Sequence, residues 1–384
     1  MLLRGQKVYN PPERMPQDIF LIGAGQTRFC EQWDMSLRDL IEASVTAAIT
    51  DAKLSAIDID MVIVANMIGD AVADQAHLGA LAASLLPHRP PALRVEAACA
   101  SGSVAVHTAC SLLRSGDVET VLVVGAEKMT DVPNEVVSRA LMGASDAEKD
   151  AAAGLTFPGI FGLVAQRYQH DYDLTREQLS LVSAQHHQHA VTNPNAQFQK
   201  AIPAEMISES PLVADPLRLL DCSPISDGAA ACILSVKHRS PFRIAASQLS
   251  TDTLSLADRP TLTSFSATKE AAQKAFREAD ITRDDISHIE LHDCFSIAAL
   301  ISLEDLGFAE PGNGISFYEQ PDPNLTINQS GGLKACGRPV AATGVKQLID
   351  LRRELRASGE QFGLAHNFGG AGATCCVHLL EHAA

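Results

Sequence analysis

Short unbroken apolar runs alternate with helix-patterned stretches along nearly the whole chain, and this alternation constrains the fold more than any other feature. Ile19–Gly25 reads as a strand, Leu37–Ala52 has helical period, and Asp60–Ala65 is a second strand. A helix is expected over Gln75–Leu86, then a strand over Ala92–Val95, a helix to about Leu113 and a strand over Glu119–Gly125. Strands this uniformly apolar belong to a sheet covered on both faces. From Glu127 to about Asp221 prolines, amphipathic helices and polar stretches interrupt the pattern, as an inserted lid or substrate-binding region would. After Ser226–Leu234 returns to sheet, a second series begins: strand Phe242–Ala246, helix Ser266–Ala279, strand Ile286–Leu291, helix Phe295–Leu306, helix Val345–Leu355, and strands Phe362–Ala365 and Ala373–Leu380. Two series of similar order predict an α/β protein with two similar halves and an inserted loop domain. The expected boundaries are an N-terminal arm at 1–17, a first half at 18–240 containing a loop region at 128–224, and a second half at 241–384.

The formal charge of −16 argues against nucleic acid or an anionic membrane as partner. Nine cysteines without regular spacing suit a reducing compartment, and the adjacent pair Cys375-Cys376 is unsuited to an ordinary disulfide. With no signal peptide and no apolar run long enough to span a bilayer, a cytoplasmic protein is expected. Gly23-Ala24-Gly25 lacks the next glycine of a dinucleotide fingerprint, so a nicotinamide cofactor is not expected.

Four clusters carry chemistry. Cys99 stands in Val95-Glu96-Ala97-Ala98-Cys99-Ala100-Ser101-Gly102, where a strand turns into a helix of small residues. There a thiol meets unpaired backbone N–H groups and the positive end of a helix dipole, which favours thiolate. Read alone, Cys99 also suits a buried packing position. His292-Asp293-Cys294-Phe295 repeats the strand-to-helix setting, Asn328–Gly344 is a glycine-rich loop carrying Lys334 and Arg338, and His366–Gly372 is a glycine-rich turn between the last strands. Histidine and cysteine at 292 and 294 have no further ligands at zinc-like spacing, so no metal is expected.

Taken together and in this order, with Asp227-Gly228-Ala229-Ala230-Ala231, these motifs resemble the thiolase superfamily, and within it the sterol-carrier-protein-type branch. The resemblance spans nearly all of residues 18–382. It implies the five-layer αβαβα thiolase fold, a homo-oligomer (a dimer or dimer of dimers), and C–C bond formation or cleavage on an acyl-CoA or carrier-protein thioester, with no covalently bound cofactor. By the same resemblance Cys99 is the acyl-accepting nucleophile, Cys294 the acid/base at the substrate α-carbon, and His292 a holder of the thioester oxygen. His366 stands where other branches place their acid/base cysteine, and Phe368 and Gly369 with the Cys99 N–H form the oxyanion site. Some chains of this branch work beside ketosynthase-like and OB-fold subunits.

The family usually has Gly-His-Pro where this chain reads Gly337-Arg338-Pro339, and that histidine takes the thiol proton. A guanidinium is a permanent donor and cannot. Arg338 could still stabilise the thiolate, so an active enzyme, a subunit of an acyltransferase complex and a catalytically silent binding subunit are all open readings. Ala341, where glycine is usual, is a smaller departure. Arg139, Arg167 and Arg218 in the loop region are candidates for coenzyme A phosphates.

Overall fold

The computed structural model describes residues 17–383, so the expected arm at 1–17 lies outside them but for its last residue. The first half contributes strands β1 (Phe20–Gln26), β2 (Met61–Ala65), β3 (Ala92–Val95), β4 (Thr120–Glu127) and β5 (Gly228–Ser235). The second contributes β6 (Phe242–Thr251), β7 (Ile286–Glu290), β8 (Thr326–Ile327), β9 (Phe362–Gly369) and β10 (Thr374–His382). In space the first set runs β3-β2-β4-β5-β1 and the second β8-β7-β9-β10-β6. By order of appearance both read third, second, fourth, fifth, first. The directions match too: the first three strands of each row are parallel, and the last two pairings are antiparallel. The two sheets meet edge to edge at one pair, Phe20 with Arg243. The duplication, invisible as a residue repeat, is therefore written in the topology.

Helices complete the layers. α1 (Leu37–Ala52) covers the outer face of the first sheet against β1, β4 and β5, while α6 (Ser266–Ala279) covers the second against β6 and β10. Between the sheets lie α2 (Ser101–Ser115) and α9 (Thr343–Ser358), each touching strands of both. Val106, Ala109, Leu113, Val345, Leu348 and Leu355 fill this middle layer, all fully buried. Five layers result, as the resemblance implies. Gly25 shows why Gly-Ala-Gly is there: a Cβ on it would lie 2.2 Å from the Ser44 carbonyl oxygen, so the glycine lets β1 press against α1.

Three sequence expectations need correction. The helix expected over Gln75–Leu86 is only Leu78–Ala83, because Asp74 and His77 both take left-handed backbone (φ 49° and 54°), which ends helical geometry upstream. The strand expected to stop at Ala246 runs to Thr251, paired throughout with β10. His366–Gly369 lie in β9 itself, paired to Val377–Thr374, and only Gly370–Ala373 form the turn. Extended polar residues joined by ladder hydrogen bonds look like a loop when only apolar runs are counted.

Between β4 and β5 the chain packs α3 (Asn134–Met142), α4 (Phe157–Tyr172) and α5 (Arg176–Ala190) over the strand ends of the second half. Phe157, Ile160, Phe161 and Val164 join one apolar cluster with Phe295, Ile297 and Phe368. This roof buries the functional groups beneath it.

Candidate active site

Cys99 lies between β3 and α2, one residue before the helix cap Ala100. The bend that presents it is tight: Ala98 sits at φ 53°, and the Ser101 hydroxyl donates to the Ala98 carbonyl while accepting the Ala97 N–H at 2.9 Å. The sulfur is nearly sealed, with the residue 1% exposed.

Arg338 reaches it from the other half. Its Nη2–H donates to Cys99 Sγ at 2.8 Å, and its backbone N–H donates to Ser226 Oγ at 2.9 Å. A bridge between Ile225 and Arg338 fixes that loop against the start of β5. Gly337 precedes it at φ 98°, where a Cβ would strike Ser226 Oγ at 2.5 Å. The guanidinium Nε is buried without a partner.

The loop from β7 into α7 (Ser296–Asp305) supplies His292 and Cys294. Asn367 on β9 donates its Nδ2–H to His292 Nδ1 at 2.8 Å, which leaves the ring proton on Nε2; that atom is buried and unpartnered. Burial, then Arg338 and His366, hold the His292 pKa well below the ordinary histidine range, so the ring is neutral. Burial pushes the Cys294 thiol up to about 12, although Arg338 pulls the other way. His366, bonded to Thr268 Oγ1 at 3.1 Å, is pushed down to about 3 by burial. Phe368 packs against both imidazoles, at 4.5 Å from His292 and 5.7 Å from His366. A Cβ on Gly369 would lie 2.4 Å from the Ala97 carbonyl oxygen and 3.3 Å from Ala100 N, so β9 runs directly beside the Cys99 bend.

The expected site residues thus form one buried group centred on Cys99 and Arg338. Lys334 belongs to its supports: its ammonium donates to the Asp221 carbonyl, and burial lowers its pKa. Asp293 accepts from His186 Nδ1 at 2.8 Å and Leu333 N at 2.8 Å, tying the His292–Cys294 loop to the short helix α8 (Gly332–Cys336). Burial would raise the Asp293 carboxyl, but its contacts with His186 and Lys334 outweigh that and hold it below the usual carboxylate range. Sequence reading overlooked His186 and Thr268: each sits on an amphipathic helix with nothing local to mark it.

A cavity of about 170 Å³ leads to this group. Met129, Leu141, Phe157, Ile225, Phe295 and Val340 make its walls apolar, and among the described residues Arg338 is the one charged side chain lining it. Ser138 is shared with a wider groove that carries Arg139 at the surface. The other two basic candidates are occupied elsewhere: Arg167 pairs with Asp171 at 2.7 Å, and Arg218 donates to the Ser210 carbonyl at 2.8 Å.

Among the described residues no helix is long and apolar enough to cross a membrane, and no cluster suited to a metal ion is present. Residues 19–238 match the family "Thiolase, N-terminal domain" and residues 249–382 "Thiolase C-terminal domain-like". Acetyl-CoA acetyltransferase of Methanothermobacter thermautotrophicus is 42% identical, over 95% of this chain and all of that protein. Human sterol carrier protein 2 is 31% identical, over 92% of this chain and 70% of that protein. Among solved structures, an Ltp2-ChsH2(DUF35) aldolase superposes with a TM-score of 0.83 at 22% identity, covering 96% of this chain and 98% of the other. Human mitochondrial 3-ketoacyl-CoA thiolase in complex with CoA gives 0.76 at 19% identity, covering 96% and 98%.

Proposed function

This chain belongs to the thiolase family and is an acyltransferase of that class acting on acyl-CoA, and from that premise we propose that it works through an acyl group carried on Cys99. One observation supports this above the others: the Arg338 guanidinium lies at hydrogen-bond distance from the Cys99 sulfur. The thiolate attacks the thioester carbonyl, coenzyme A leaves, and the acyl group stays on sulfur. Backbone N–H groups where Gly369 passes the Cys99 bend receive the carbonyl oxygen. His292, neutral and with a free Nε2–H, holds the oxygen of the second thioester as it enolises. Cys294 exchanges the α-carbon proton of an acceptor that carries one there, and His366 packs against Phe368 behind it. The pantetheine arm enters past Ser138, with Arg139 beside the coenzyme phosphates.

The test is intact-mass spectrometry after incubation with acetyl-CoA and longer acyl-CoAs. An acyl increment on the native chain, mapped to Cys99 and lost in Cys99→Ala, is the expected result. No increment from any donor overturns the assignment and favours a silent binding subunit.

A second reading concerns assembly. The solved Ltp2-ChsH2(DUF35) aldolase carries two component names, and its fold superposes well on this chain. We propose a homo-oligomer as the basic unit in the cytoplasm, with a companion subunit as the alternative. Purification from the native cell distinguishes them, since a companion would co-elute at fixed stoichiometry.

A further inference from the structure

The cavity beside the Cys99–Arg338 group has mainly apolar walls, with Ser138, Cys222 and Ser223 among them, and the one charged side chain lining it among the described residues is Arg338, whose guanidinium touches the nucleophile. Among the described residues no carboxylate pairs with this cation. Asp293, the nearest acidic group of the motif loops, is taken up by His186 and the N-terminus of α8. In the resting site the Cys99 sulfur is the acceptor that answers Arg338. Acylation turns that sulfur into a neutral thioester, a poor acceptor, and leaves a desolvated guanidinium lining the cavity without a counter-ion. Such a charge is costly until an anion joins it. An acetyl thioester brings none.

Proton removal is also poorly served. Arg338 accepts no proton. His292 and His366 are neutral with depressed basicity, and Cys294 is held as the thiol. What the site offers instead is a cation beside the acyl sulfur and a free N–H donor on His292.

We propose that the acyl acceptor this site selects is a thioester bearing a carboxylate on its reacting α-carbon, a malonyl-type thioester, whose loss of carbon dioxide takes the place of proton abstraction. The inference rests on the acyl-Cys99 reading. The carboxylate enters beside Arg338 as its counter-ion. Its C–C bond to the α-carbon breaks, carbon dioxide leaves, and the electron pair forms the enolate, whose oxygen takes the His292 Nε2–H hydrogen bond. The α-carbon then attacks the acyl carbonyl, the C–S bond breaks, and the electrons return to Cys99 as thiolate beside Arg338. One negative charge enters with the acceptor and one remains on the enzyme, and no proton moves.

The experiment uses the full native chain pre-loaded with acetyl-CoA and freed of excess, then mixed with either malonyl-CoA or acetyl-CoA. Loss of the acetyl increment, acetoacetyl-CoA and released carbon dioxide are followed together. Malonyl-CoA should discharge the acyl-enzyme about ten- to hundredfold faster, with one carbon dioxide per acetoacetyl-CoA. Arg338→Met should erase that preference, Arg338→Lys should keep part of it, and Arg338→His should favour acetyl-CoA. Equal or faster discharge by acetyl-CoA, or condensation without carbon dioxide, overturns the proposal while leaving acyl-Cys99 standing. Absence of the acetyl increment overturns the acyl-Cys99 reading, and the proposal falls with it.

Discussion

Replacing Arg338 by methionine keeps an unbranched side chain of similar reach and removes the charge. The guanidinium nitrogen lies 2.8 Å from the Cys99 sulfur, so the centres of charge are roughly 4 Å apart. At an effective dielectric near 20 a unit-charge attraction over that distance is about 4 kcal/mol, an upper bound on what the contact gives the sulfur as it attacks in its charged form. The N-terminus of α2 still faces the sulfur in the variant and retains about 0.3–1 kcal/mol of stabilisation. The net expectation is a fall in Cys99 alkylation by iodoacetamide of about a hundred- to a thousandfold at pH 7. The rate is read peptide by peptide, with half-buried Cys30 as the internal reference. Because a methionine at this position leaves no buried charge to desolvate, the variant should melt no earlier than the native protein. Alkylation of Cys99 within a factor of about three of the native rate, with the fold intact, would refute the electrostatic role given to Arg338.

Gly369→Ala drives a Cβ to 2.4 Å from the Ala97 carbonyl oxygen. It should cost about 1–3 kcal/mol in urea denaturation and slow acyl-enzyme formation together, whereas loss of one without the other would separate packing from the oxyanion site. His366, pushed down to about 3 by burial, stays neutral in the fold while the unfolded chain protonates it below about 6.5. The native protein therefore loses stability relative to His366→Gln as pH falls from about 6.5 towards 4, by about 1.4 kcal/mol per unit; parallel stability profiles for the two proteins would contradict a neutral buried ring. Asp293→Asn weakens the tie between the His292–Cys294 loop and α8. Its native contribution is present above the ordinary carboxylate range and lost as pH falls through the depressed value. The destabilisation caused by Asp293→Asn should thus be full at pH 7 and shrink below about pH 4, as chemical denaturation at several pH values will report.

Strand-to-helix junctions are local events, and so Cys99, His292 and Cys294 were readable as candidates from residues within a few positions of each. Their meeting was not. Cys99 and Arg338 are far apart in sequence, and they touch because both halves turn the same way and lay their third strands at corresponding edges. Gly23-Ala24-Gly25 read only as an incomplete dinucleotide fingerprint, and it takes the packing of β1 on α1 to show what the glycines are for. His366 and Asn367 read as a turn because polar residues in a buried strand break the apolar run, although their neighbours on β10 pair with them in full. The left-handed residues Asp74 and His77 left no sequence mark that they would shorten a helix.

The duplication also explains why the anion site is where it is. Cys99 follows the third strand of its half and precedes α2. Arg338 lies between the third strand of the other half and α9, so the two are topological counterparts. Gly102 and Gly344 let the starts of these central helices come together: a Cβ on Gly102 would lie 2.6 Å from the Ala341 carbonyl oxygen and one on Gly344 2.4 Å from Ser103 N. Two helix N-termini therefore lie side by side, each carrying roughly half a positive charge, with a guanidinium beside them, in a chain whose formal charge is −16. In a fold where both termini already favour an anion, replacing a proton acceptor with a permanent cation adds charge where charge was already accumulating. The Ala341 carbonyl packs against both Gly102 and Gly125 at the same junction. The chemistry that gains from such a centre is one in which a negative charge stays in place and changes carriers, from carboxylate to enolate to thiolate, and a base becomes dispensable.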